Sequence, residues 1–369
     1  MSDKTGIEWT DATWNPIVGC SVVSPGCTHC YAMRGAARMA RMGVKHYDGL
    51  TLGSKAGPVW NGKLAQAPES LLLKPIRQTR PRRIFVNSMS DLFHESVPDA
   101  WIDRVFAVMA LCPQHTFQVL TKRAKRMRGY CANPRTPARI YDLVCDWALN
   151  MKFGVNVTLI SDPSYEAFLP PGPRVRLGVW PLPNVWLGVS AERQEEADAR
   201  IPELLATPAA VRGVGAEPLL APIDFLRAPR PGETWDWLTG ERESARGKET
   251  TAHLDWIIVG GESGPGARPM HPDWVRAIRD QCAAARVRFF FKQWGDYLPN
   301  YEHPSVIAAD AEVSNFEGRW FAGRGPDKPA IVLDRVGKRS AGRQLDGVEH
   351  DEMPESVNGE QSTVNRSAE

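Results

Sequence analysis

Residues 83–121 read RIFVNSMSDLFHESVPDAWIDRVFAVMALCPQHTFQVLT. Two apolar runs, RIFVNS (83–88) and TFQVLT (116–121), are strand-like. In the segment between them Trp101, Val105, Val108 and Cys112 recur at helical spacing behind Asp99, which is expected to cap the helix. Strand, helix, strand in so short a span makes a parallel βαβ unit. The same alternation continues downstream through NVWLGVS (184–190), AVRGVGAE (210–217), LDWIIVGG (254–261) and RFFFKQW (288–294). Before the last of these lies HPDWVRAIRDQCAAARV, with Val275, Ile278, Cys282 and Ala285 on one stripe. No glycine-rich dinucleotide turn follows an early strand. The expected fold is therefore an α/β TIM-type barrel, complete or partial, rather than a doubly wound sheet.

With 369 residues and 43% apolar content the chain can bury a core without disulfide staples. One barrel domain is expected over 1–348. A proline-rich insertion (160–183) and a charged, glycine-rich one (226–252) interrupt it, and 349–369 read as a polar, disordered tail. The start carries no apolar run behind a basic segment, and no long uncharged apolar stretch occurs anywhere. A cytoplasmic protein without membrane partners is expected. The net charge of +2 does not announce nucleic acid, so only a local patch could.

Each expected strand ends in polar residues: Asn87, Ser88 and Asp91; Lys122 and Arg123; Ser190 and Glu192; Glu217; Gly260, Gly261 and Glu262; Lys292 and Gln293. In a parallel barrel those ends open on one face, the usual place of an active site. The most basic run, KRAKRMR (122–128), lies at this mouth. It reads either as a solvated helix face or as a loop meeting phosphates.

GCSVVSPGCTHCYA (19–32) gathers Cys20, Cys27 and Cys30, while Cys112, Cys131, Cys145 and Cys282 are scattered. Cys112 and Cys282 fall on apolar stripes and read as core thiols. Cys131, in GYCANP, reads as a loop thiol and is the remaining candidate for a radical relay. A structural zinc takes four ligands, commonly as paired knuckles. Here there is one knuckle, with His29 or His46 as candidates for a fourth ligand. Three thiolates on a loop that runs into a helix instead suit a 4Fe-4S cluster with one iron left open.

CTHCYA resembles the end of the radical S-adenosylmethionine motif, although the spacing here is C-x6-C-x2-C where that superfamily has C-x3-C-x2-C. WNPIVGCSVVSPGCTHCYA, FVNSMSDLFH, VLTKR, WLGVSAE, AEPLL, VGGESG, FFFKQWG and AGRQLDG, in this order, resemble a phage and prophage family known for its three-cysteine motif, distantly similar to spore photoproduct lyase. The resemblance implies a radical enzyme that binds a 4Fe-4S cluster through Cys20, Cys27 and Cys30 together with S-adenosylmethionine. An external electron donor would reduce the cluster, and DNA or RNA is the indicated substrate. His29, Ser88, Asp91, Ser190, Glu192, Gly260, Gly261 and Glu262 are then expected around the cofactor, and Lys122, Arg123, Lys292 and Gln293 toward the substrate. The alternative reading is a non-catalytic, zinc-stabilised module that binds nucleic acid or a partner.

Overall fold

The computed structural model describes residues 5–150, 158–160, 174–176, 178–228, 231–301, 308–309, 313–316, 319–323 and 325–355. Seven strands form one sheet: β1 (Ala12–Trp14), β2 (Arg83–Val86), β3 (Thr116–Thr121), β4 (Val185–Ser190), β5 (Val211–Ala216), β6 (Trp256–Gly260) and β7 (Arg288–Gln293). They lie side by side in chain order, and every pair is parallel. Such an order advances in one direction around a barrel. Among the described residues, however, β1 and β7 do not pair, so the sheet is a half-barrel and the complete barrel is not formed.

Alternation along the strands explains why the sheet is covered on both faces. Ile84, Val86, Phe117, Val119, Leu187, Val214, Ile257, Val259, Phe289 and Phe291 belong to the large core. The helices α2 (Asp99–Ala110), α3 (Ala124–Cys131), α4 (Thr136–Asn150), α5 (Gln194–Leu205) and α6 (Pro272–Ala285) contribute their apolar sides to that same core. Phe85, Trp186, Trp256, Ile258 and Phe290 form a separate cluster with Trp9 on the inner face. Ring centroids there lie 4.7 Å apart for Trp9–Phe85, 5.8 Å for Trp186–Trp256 and 6.2 Å for Trp256–Phe290, in edge-to-face contacts.

Several expectations are corrected. Asp99 is the first residue of α2 and does not cap it; Pro98 precedes it, and its carboxylate meets Arg126 and Arg139. The cap found at α6 is His271, whose Nδ1 accepts from Asp273 N at 3.0 Å. The 226–252 insertion is a four-stranded antiparallel meander anchored by buried Trp237 and Leu238. Of 160–183, residues 161–173 and 177 lie outside the described residues, while Trp180 and Leu182 pack on the core. A second antiparallel sheet, from Tyr297–Asn300 to Ile331–Arg335, was not foreseen.

The expected tail is also not disordered from 349. Phe291 N donates to His350 O at 2.9 Å, and Phe290 bridges Asp351 along the free edge of β7. Trp256 Nε1 donates to Glu352 O at 2.9 Å, and Met353 packs against the tryptophan cluster. Residues beyond 355 lie outside the described residues. Among the described residues no helix is long and apolar enough to cross a membrane.

Candidate active site at the cysteine loop

The chain leaves β1, passes Gly19 in a left-handed conformation (φ +95°), and runs through the three cysteines into α1 (Tyr31–Arg41). Gly19 must be glycine, because a Cβ there would collide with Lys63 O. Loops from four strand ends fasten this segment across the carboxyl ends of the sheet. After β2, Met89 O accepts from Gly19 N at 3.2 Å and Ser88 O from the Tyr31 hydroxyl at 2.9 Å. After β3, Arg123 donates to Ser21 Oγ at 2.8 Å and approaches Cys20 Sγ at 3.5 Å. After β4, Glu192 Oε1 accepts from Gly26 N at 2.9 Å. After β6, Arg268 donates to Pro25 O at 3.0 Å, and Arg34 of α1 reaches back to Pro265 O at 3.1 Å.

The carboxylates expected around a cofactor carry this scaffold. Asp91 accepts from Thr121 Oγ1 (2.6 Å), Phe93 N (3.0 Å), Lys122 N (2.9 Å) and Arg123 (3.1 Å). Glu192, fully buried, meets Lys122 at 2.9 Å and Arg200 at 3.0 Å besides Gly26. Burial alone would raise its pKa, but Lys122, Ser24 and Arg200 outweigh that and hold the carboxyl at about 2. Glu262 is bound by Arg268 through Nε and a terminal nitrogen, both at 2.8 Å. These three acids are occupied within the chain, so they are positioning residues. Of the uncharged set, Ser88 Oγ donates to Asn15 Oδ1 at 3.2 Å, and Ser190 O accepts from Arg200 at 2.7 Å.

The glycines fill tight places. A Cβ on Gly260 would run into the Glu217 carboxylate, and one on Gly261 into Trp294 O. His29 packs its ring on Gly266, where a Cβ would come within 2.7 Å of the imidazole. The expected substrate cations have partners too. Lys122 pairs with Glu192, and Arg123, buried, pairs with Asp91 and Glu95. Lys292 pairs with Glu217 at 2.8 Å; burial would lower the ammonium's pKa, but Glu217 raises it above its ordinary value. Gln293 Nε2 donates to Gly261 O at 2.8 Å. Within KRAKRMR, Arg126 meets Asp99 and Arg128 meets Glu203, and Lys125 alone is exposed without an ion pair. The run is largely neutralised by the protein itself.

All seven cysteines are free thiols. Burial pushes the Cys20 thiol up to about 12, opposed by Arg123, and raises Cys30; Cys20 senses Cys30, and Cys30 senses Cys27. The three are thus electrostatic neighbours. Among the described residues no group of three or more His, Cys, Asp or Glu side chains is placed to hold a metal ion. Cys112 and Cys282 are fully buried, as expected. Cys131 ends α3 rather than lying in a loop, and burial keeps its thiol raised to about 12.

Sequence reading missed two residues here. Arg200 and Arg268 each follow a strand-end glutamate by a few positions, in ERQEEADAR (192–200) and ESGPGAR (262–268). An arginine following a strand-end glutamate in both loops was the available signal. Asn87 has a left-handed backbone (φ +59°), is buried, and finds no partner within the protein for either amide atom. Its place at the end of β2 was read from RIFVNS, but its unpartnered amide was not.

No curated protein and no solved structure matches this chain. Residues 4–354 match the family described as "Protein of unknown function (DUF5131)". A match over nearly the whole chain makes the protein a member of that family.

Proposed function

We propose that the protein is a radical S-adenosylmethionine enzyme in which Cys20, Cys27 and Cys30 hold a 4Fe-4S cluster. The observation that carries this reading is the position of the loop. Three free thiols sit on one segment laid across the carboxyl ends of a parallel half-barrel and tied there from four strand ends. A parallel α/β sheet presents its chemistry at that face.

When bound, the cluster and S-adenosylmethionine would pass one electron from an external donor into the C5′–S bond, releasing methionine and a 5′-deoxyadenosyl radical that takes hydrogen from the substrate. The chain's own part is placement and charge. Arg123 stands on Cys20 and offsets thiolate charge, while Asp91 and Glu95 fix the guanidinium. Glu192 and Arg268 hold the loop at Gly26 and Pro25. Tyr31 is 59% exposed, its hydroxyl donates to Ser88 O at 2.9 Å, and Glu217, paired with Lys292, is near enough to act on that hydroxyl electrostatically.

The test is anaerobic reconstitution followed by iron, sulfide and zinc analysis. About four irons per chain are expected, with visible absorption that dithionite bleaches and that disappears in Cys20→Ala, Cys27→Ala and Cys30→Ala. Cys112→Ala and Cys282→Ala should keep it. Stoichiometric zinc without iron, or a cluster retained in all three single variants, overturns the assignment.

A further inference from the structure

At the strand-end mouth Lys122, Arg123, Arg200, Arg268 and Lys292 are each paired with a carboxylate. The surface beside the cysteine loop is different. From Tyr31 to Ala67 the sequence holds Arg34, Arg38, Arg41, Lys45, Lys55 and Lys63, with Asp48 as its one acid. None of these six cations has an ion-pair partner among the described residues. Arg34 touches only a carbonyl, Pro265 O, and Arg41 only Ala37 O.

Their spacing gives the patch a direction. Arg34, Arg38, Arg41 and Lys45 stand at intervals of four, three and four residues. The first three lie on α1, and Lys45 opens the short helical turn that packs back against it. Positions three and four apart share one side of a helix, so the guanidinium groups form a stripe roughly 10 Å long at 1.5 Å per residue. Its near end is Tyr31, the first residue of α1, directly after Cys30 and largely exposed. The hairpin Thr51–Ser54/Gly57–Trp60 lies against α1 and adds Lys55 at its exposed turn.

We propose that this stripe binds the sugar–phosphate backbone of a nucleic acid strand and leads it to the mouth at Tyr31. Unpaired cations in file suit a repeating anion, since each phosphate neutralised releases condensed counterions. An exposed aromatic ring at the end of the track offers a stacking face for a base. The stripe supplies positioning without sequence readout, because its contacts are all to phosphate. It differs from KRAKRMR, where Lys122, Arg123, Arg126 and Arg128 are each paired with a carboxylate. The proposal names a partner class for the mouth described above but does not need a bound cluster.

The test is fluorescence-anisotropy binding to 20-nucleotide single strands and duplexes of DNA and RNA, on full-length protein with and without iron. Wild type, Arg38→Glu/Arg41→Glu and the milder Arg38→Gln/Arg41→Gln are compared with Arg246→Glu/Lys248→Glu, an equal charge change on the distant insertion. Wild type should bind, with affinity falling steeply between about 50 and 200 mM salt. The charge reversal should weaken binding at least tenfold, and the Gln pair should lower the salt slope by about 1.4 on single strands. The insertion variant should match wild type, and thermal melts should match throughout. No binding at low salt, equal losses in stripe and insertion variants, or tighter binding to polyglutamate than to any oligonucleotide overturns the proposal. Iron content read on the same samples separates that outcome from failure of the cluster assignment.

Discussion

Glu192 shows how a residue chosen for one role can hold another. Its place at a strand end was legible in WLGVSAE, but its partners were not, since Gly26, Lys122 and Arg200 come from three separate parts of the chain. Replacing it by Gln keeps an acceptor for Gly26 N but leaves two cations facing no charge, and breaking a buried pair this way costs about 3–5 kcal/mol. Its carboxyl is held near 2, below the ordinary 4.5. A depressed acid contributes stability that is complete above the unfolded value and is lost as pH falls toward the folded one. Wild type should therefore lose on the order of 3 kcal/mol from this group between pH 4.5 and 2. Urea midpoints at pH 7, 4 and 3 should show a flatter decline for Glu192→Gln than for wild type. Parallel curves would mean that the carboxylate is not clamped.

At the scale of elements, six of the seven strands were readable because each buries apolar side chains on both faces and so appears as a run. The seventh, Ala12–Trp14, is three residues long, too short to show a period. The 226–252 segment was hidden for the opposite reason. Its outer hairpin, Glu241–Ser244 with Gly247–Thr250, exposes nearly every side chain and has no apolar alternation to detect. Only the tryptophans at its base are anchored. Thr251 N donates to Gly240 O at 2.8 Å, so the hairpin's ends already meet. Replacing 241–250 by Asn-Gly should leave the melting temperature within about 2 °C, since exposed ion pairs and the Arg242–Trp235 contact contribute roughly 1 kcal/mol or less. Unfolding of that variant in a thermal melt would show the hairpin to be part of the core.

For the whole molecule, the sequence disclosed a sheet in chain order but not where it would stop. Closure depends on whether the last strand finds the first, and that is a long-range geometric matter no local pattern reports. The protein instead finishes its open side with His350–Met353, drawn from a stretch whose polarity suggested disorder. Truncation after Val348 removes the partner of the Trp256 indole and uncovers the inner tryptophans. It should cost about 2–4 kcal/mol and shift tryptophan emission to longer wavelength, whereas truncation after Glu355 should do neither. Equal spectra and midpoints for the two truncations would show that the strap is passive. The cysteine loop, at 19–32, and the strap, at 350–353, are separated by nearly the whole sheet in sequence, and this separation has a meaning for biosynthesis. On the ribosome the sheet can grow strand by strand as it emerges, yet its inner face stays open until the final segment clears the exit tunnel. During that interval the tryptophan-lined hollow is uncovered surface that a chaperone could hold. A chain released after Val348 would have every thiol and every strand of the seven-stranded sheet but lack the strap.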